Sequence, residues 1–239
     1  MSFDPYEFDR GYASSQRDTI GQYTAKTFLW MMLGLLVTFG VAVGCWVSGA
    51  TIYSLLYVPA VHIIALIAPI VLSLVFVHRI EKMSVGGAIS IFMVYAAILG
   101  YTMSIYLLVY DVTALVLCFL LTAVYFGALA AYGYLTKRDL SGIRPVLISG
   151  AVFLLVFWLL SLLIPGVMMF ERVICLIGIA VFLGFTAYDT QKIKAFYHYY
   201  SASPEMLAKA SIFSALQLYL DFINLFLYLL RFLGKARRN

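Results

Sequence analysis

Charge is what this sequence has least of. Only 11% of its 239 residues are Asp, Glu, Lys or Arg, against 64% hydrophobic. A soluble domain carries about 25% charged residues, so this chain cannot present an ordinary water-facing surface. Cysteine is scarce too. Cys45, Cys118 and Cys175 stand singly in apolar runs and match neither a disulfide framework nor metal-ligand spacing. They read as small buried hydrophobes. A phosphate loop, an HExxH zinc motif and a serine-nucleophile elbow are all missing, which leaves those enzyme classes without support. The net charge of +5 is no nucleic-acid signal, because the basic residues sit in loops between apolar spans.

What the chain has is long hydrophobic runs. A membrane-spanning helix takes about 20 apolar residues, and seven runs qualify: about 27–47, 58–77, 85–110, 112–135, 145–165, 173–188 and 211–233. They predict an all-α membrane protein of seven transmembrane helices, six surrounding a central C-terminal helix. Residues 1–26 read as a cytoplasmic tail, lacking the basic leader and apolar core of a signal peptide. Residues 27–234 form the transmembrane domain, and 235–239 a basic C-terminal tail. Eleven basic residues, from Arg10 to Lys209, fall on the side of the N-terminus, whereas Arg172 stands alone in the opposite loops. The positive-inside rule therefore puts the N-terminus in the cytoplasm. Seven spans would leave the basic C-terminus outside; a re-entrant last segment would return it. Such a turn needs a Gly or Pro break, and residues 211–233 contain neither, which favours a seventh span.

Of eleven acidic residues, only Asp189 and Asp221 are set in strongly apolar helix. An ionised Asp at the centre of a membrane helix costs about 2.5–3.5 kcal/mol. At 3.6 residues per turn, Ser214, Gln217, Asp221, Asn224, Tyr228 and Arg231 form one polar stripe, which must face protein or a pore rather than lipid. Hydrogen-bonding glue between helices accounts for Ser214, Gln217 and Asn224. It accounts less well for Asp221, since Asn would bond similarly without a charge. Asp189 beside Lys192 could simply be hydrated at the membrane edge. Paired with Asp221, it would instead titrate as a unit with it, sense pH or bind a hard cation such as Ca²⁺. Helix rise from the span ends separates the two in depth by about 10 Å. Arg79, at the end of the second span, could act as a breakable gate contact or as an ordinary positive-inside anchor. Gly127, Ala128, Ala130, Ala131 and Gly133 in "FGALAAYG" predict close packing of the fourth helix on a neighbour.

The segments "GFTAYDTQKIK", "LYLDFINLFLYLLRFLG" and "YGYLTKRDLSG" resemble the Bax inhibitor family of transmembrane proteins, with the similarity running over essentially the whole chain. The match is closest to members in the bacterial inner membrane. The resemblance implies a seven-helix fold with a central last helix. It also implies a pH-sensitive calcium leak without cofactor, gated by paired aspartates. These fall on Asp189 and Asp221, with the gate arginine on Arg79. Its partners would be the lipid bilayer, calcium and protons. Some bacterial members look like modulators of a membrane protease, so a regulatory protein binding such a partner is the second expectation. An intramembrane aspartyl protease would need Gly-x-Gly-Asp at the second Asp, where this chain reads "LYLD".

Overall fold

The computed structural model describes residues 19–164 and 169–234. Residues 1–18 of the tail, Pro165 and the basic end at 235–239 lie outside the described residues. Seven long helices carry the chain: α1 (Ile20–Val47), α2 (Ala60–Arg79), α3 (Val85–Met103), α4 (Val112–Leu135), α5 (Arg144–Leu163), α6 (Glu171–Tyr200) and α7 (Pro204–Leu233). All seven are long and apolar enough to cross a membrane. The described residues contain no strand.

Local chemistry fixes where the helices start. Thr19 and Gln22 form a reciprocal capping box at α1, satisfying amides that have no partner in the first turn. Ser84 caps α3 and Asp111 caps α4, each side chain accepting one backbone amide, of Gly87 and of Thr113. Ser203 accepts from the Met206 amide, and Pro204 occupies the first helical position of α7. Gly49, at φ +72°, turns the chain after α1, a conformation that favours glycine.

α7 is the centre of the bundle. Its most apolar window is 61% buried, against 11–39% for the other six helices. It packs on α6, α1, α4 and α3, and its Phe213 stacks on Phe76 of α2 at 5.9 Å. α5 stands outside α6, with Leu147 seated over Gly184. The outer faces are apolar in turn: Ile63, Ile67, Ile70 and Leu74 of α2 are all exposed. A surface so apolar requires lipid, not water, as its solvent. The chain is therefore an integral membrane protein.

Two boundaries differ from the sequence expectation. α1 begins at Ile20, inside the segment read as tail, because the Thr19 capping box starts it there and Tyr23 is buried. The stretch after residue 188 is not a long connector. α6 runs on to Tyr200 and α7 resumes at Pro204, so the hairpin loop is residues 201–203. Its lysines look like loop residues but are accommodated on helix. Lys192 lies 5.0 Å from the Phe196 ring centroid, and Lys209 donates to the Glu81 and Met83 carbonyls. As the lack of Gly and Pro in residues 211–233 predicts, α7 is one unbroken helix of 30 residues, about 45 Å long, and no re-entrant turn interrupts it.

Candidate functional site

The site lies where α6 and α7 run antiparallel through the middle of the bundle. Their register follows from rings in contact. Tyr228 stacks on Phe182 at 5.8 Å and covers Gly178, while Phe213 lies 6.3 Å from Phe196. That register sets Asp189 level with about residue 218, so Asp221 is about one helical turn further along. Side chains tilt toward the N-terminus of their own helix. In antiparallel helices Asp189 and Asp221 thus lean toward one another's level, and each carboxylate is within electrostatic reach of the other. The depth difference is smaller than the one inferred from span ends, because both helices extend well past the apolar core.

Burial makes this pair costly. Asp189 is 7% exposed and Asp221 4%, so hydration at a membrane edge does not account for Asp189. One Asp221 oxygen, Oδ2, is buried with no hydrogen-bond partner, as is Ser214 Oγ two turns away on the same face. Buried polar atoms without partners call for water or an ion. The cations acting on the pair are Lys192, one turn beyond Asp189, and Arg144, at the start of α5. Arg79 is not brought to the aspartates. It is exposed at the end of α2, and no ion pair joins it to either among the described residues.

The rest of the stripe divides by role. Asn224 donates to the Leu220 carbonyl of its own helix at 2.8 Å, so it is not glue between helices. Gln217 is half-buried, level with Asp189. Tyr228 packs on α6, and Arg231 stands 4.5 Å from the Tyr228 ring centroid. The hydrogen bonds that do fasten helices come from residues outside the stripe. Thr27 bonds Ser211 at 2.9 Å, and Thr38 bonds Tyr219 at 2.7 Å. Thr27 and Thr38 are three turns apart on one face of α1, a spacing that could have marked them.

A resident Ca²⁺ takes 6–8 oxygen ligands. Asp189 and Asp221 offer two carboxylates, and no third Asp, Glu, His or Cys completes a metal cluster among the described residues. Two carboxylates are too few to cage such an ion.

Of the small residues in "FGALAAYG", Ala130 and Gly133 face inward. A methyl at Gly133 would meet the Ala187 carbonyl, so α4 and α6 are in close approach there. Gly127, Ala128 and Ala131 face outward instead.

The chain as a whole is similar to known proteins. The profile of the family described as "Inhibitor of apoptosis-promoting Bax1" matches residues 20–238. The chain is 40% identical over 224 residues to the inner membrane protein YbhL of Escherichia coli, covering 90% of this chain and 92% of that protein. An uncharacterised protein of Rickettsia prowazekii is 38% identical over 216 residues, or 90% of each chain. One from Caulobacter vibrioides is 33% identical over 252 residues, covering 97% of this chain and 99% of its own. With seven membrane-length helices, α7 at their centre, and a family match over nearly its whole length, the chain belongs to the Bax inhibitor family.

Proposed function

We propose that this protein is a pH-sensitive leak for calcium and related cations, gated at Asp189 and Asp221. The observation that carries this reading is the buried Asp221 oxygen left without a partner beside a second buried carboxylate. A carboxylate so placed exchanges protons or cations more readily than one locked in a full set of hydrogen bonds. Protonation changes the charge of the pair and its pull on Lys192 and Arg144, and so biases closed against open arrangements of α6 and α7. Ser214, with its unpartnered hydroxyl, extends the polar track along α7. The protein needs no resident cofactor and catalyses no reaction in this reading. In this reading its N-terminus faces the cytoplasm of a bacterial cell, by the positive-inside rule, and the membrane is the inner one, that of its relative YbhL.

Calcium flux into proteoliposomes, followed between about pH 5 and 8, the range of physiological pH switches, tests the proposal. The wild type should show pH-dependent flux, and Asp189→Asn and Asp221→Asn should each abolish the dependence. Unchanged flux in both variants would overturn the leak and favour a regulatory protein that binds a membrane partner such as a protease.

A further inference from the structure

A slot runs lengthwise along the outside of the bundle between α1 and α4. Each of these helices packs on α7, and the space left between them forms two cavities of about 590 Å³ and 200 Å³. Phe222 of α7 lines both, so they adjoin end to end at its ring. The walls reach from Gly21 to Ala42 along α1, about 32 Å at helical rise. That is close to the full depth of the hydrocarbon core, about 30 Å.

The chemistry of the walls restricts the occupant. The larger half is lined by Met31, Phe126, Gly127 and Ala131, among others, and the smaller by Leu35 and Phe119. A slot this apolar at membrane depth gives water no partners, whereas a hydrocarbon chain fits it. The small residues deepen it: a methyl at Gly127 would meet nothing within 4 Å.

One end of the slot is cationic. Tyr134 lines that end. The Lys194 ammonium stands 4.2 Å from the Tyr134 ring centroid and donates to the Tyr134 carbonyl. No carboxylate is within ion-pair distance of Lys194 among the described residues. Lys137 and Arg138 follow at once, both exposed, and the one acid of this turn, Asp139, is bonded to Ser141. Lys194 over the ring that lines this end, with the exposed Lys137 and Arg138 in the segment that follows Tyr134, complements a lipid phosphate above an acyl chain.

We propose that the slot between α1 and α4 binds a phospholipid with an anionic headgroup. An acyl chain lies against Phe126 and Phe222, and the phosphate sits among Lys137, Arg138 and Lys194. The site is separate from the aspartate pair, and its test does not depend on cation flux.

Native mass spectrometry of protein exchanged into nanodiscs with equal phosphatidylglycerol and phosphatidylcholine reads the outcome. The wild type should retain phosphatidylglycerol selectively. Joint Gly127→Leu and Ala131→Leu should empty the slot of lipid while the protein still folds, since Gly127 borders open space. Joint Lys137→Gln and Lys194→Gln should lower the phosphatidylglycerol preference about fivefold for each cation removed, leaving phosphatidylcholine retention alone. Equal retention of both lipids by the wild type would overturn the proposal. So would full retention in the filled variant, or a dimer that the filling substitutions dissociate without changing bound lipid, which would make a second copy the occupant. Should the filled variant fail to fold, the lysine pair decides.

Discussion

Gly133 of α4 and Ala187 of α6 are in backbone contact: a methyl group on Gly133 would run into the Ala187 carbonyl oxygen. Ala187 lies two residues before Asp189, so this close approach helps set where the first aspartate of the pair stands. A glycine is required at 133 for space rather than for backbone freedom.

Gly133 and Gly127 should therefore respond oppositely to the same substitution. Gly133→Ala forces two helix backbones apart, and overpacking of this kind costs about 1–3 kcal/mol. Gly127→Ala adds its methyl to open space and replaces the poorer helix former, a gain of about 0.5–1 kcal/mol. Thermal unfolding in detergent compares the two directly. Equal midpoints would mean that α4 and α6 are not in contact at Ala187.

The unpartnered Asp221 oxygen predicts a stability effect distinct from any effect on flux. Asn keeps the shape of the side chain and removes the charge, so Asp221→Asn should stabilise the protein at neutral to alkaline pH. The gain is on the order of 1–3 kcal/mol, because a charged group is costlier than a neutral one to bury without partners. The penalty belongs to the ionised form, so the difference should shrink on acidification, as the wild-type carboxyl takes up its proton. Unfolding midpoints of the two proteins along a pH series check this; a constant difference would place the cost elsewhere.

Hydropathy made the seven spans legible, because backbone in lipid has to satisfy itself within helices. The stripe from Ser214 to Arg231 was legible for the same reason. The lengths of α6 and α7 were not. Lys192, Lys194 and Lys209 look like loop residues, and only tertiary neighbours show where they go: aromatic rings and free carbonyls at helix ends. Underestimating those helices also exaggerated the depth between Asp189 and Asp221. The influence of Arg144 on Asp189 was not legible for a related reason. Arg144 lies 45 residues away in sequence, and spacing cannot reveal that α5, folding back along α6, brings it within electrostatic reach of Asp189. Arg79 was a loop-level inference, and the geometry leaves it exposed.

Tyr219 and Thr38 offer a test of the contact between α7 and α1. The Thr38 hydroxyl has one hydrogen and lies 3.0 Å from both the Ala96 and Gly34 carbonyls, so Tyr219 donates to Thr38 at 2.7 Å. Tyr219→Phe removes that donor and leaves Thr38 bonded, at a cost of about 0.5–1.5 kcal/mol. Thr38→Val leaves a fully buried phenol without an acceptor, costing about 1–3 kcal/mol. Thermal unfolding should rank Thr38→Val below Tyr219→Phe, and the reverse order would mean the phenol has another partner.

The turn that delivers Arg144 to Asp189 can be followed through Asp139, which lies outside the spans. The Ser141 hydroxyl, at 2.7 Å, and then the Ser141 amide, at 2.9 Å, donate to the Asp139 carboxylate and hold its pKa below the ordinary value of 3.8. A depressed carboxylate pKa stabilises the turn above the unfolded value, and this stabilisation is lost as pH falls through the folded one. The window is thus acidic, below about pH 4. Ser141→Ala removes the stronger of the two donors, so the Asp139 pKa should rise back toward 3.8. Carboxyl NMR of aspartate-labelled protein in micelles, titrated from neutral pH downward, measures the change. An unshifted Asp139 signal in Ser141→Ala would mean that the serine hydroxyl does not hold this turn. Arg144 would then reach Asp189 by the packing of α5 on α6 alone.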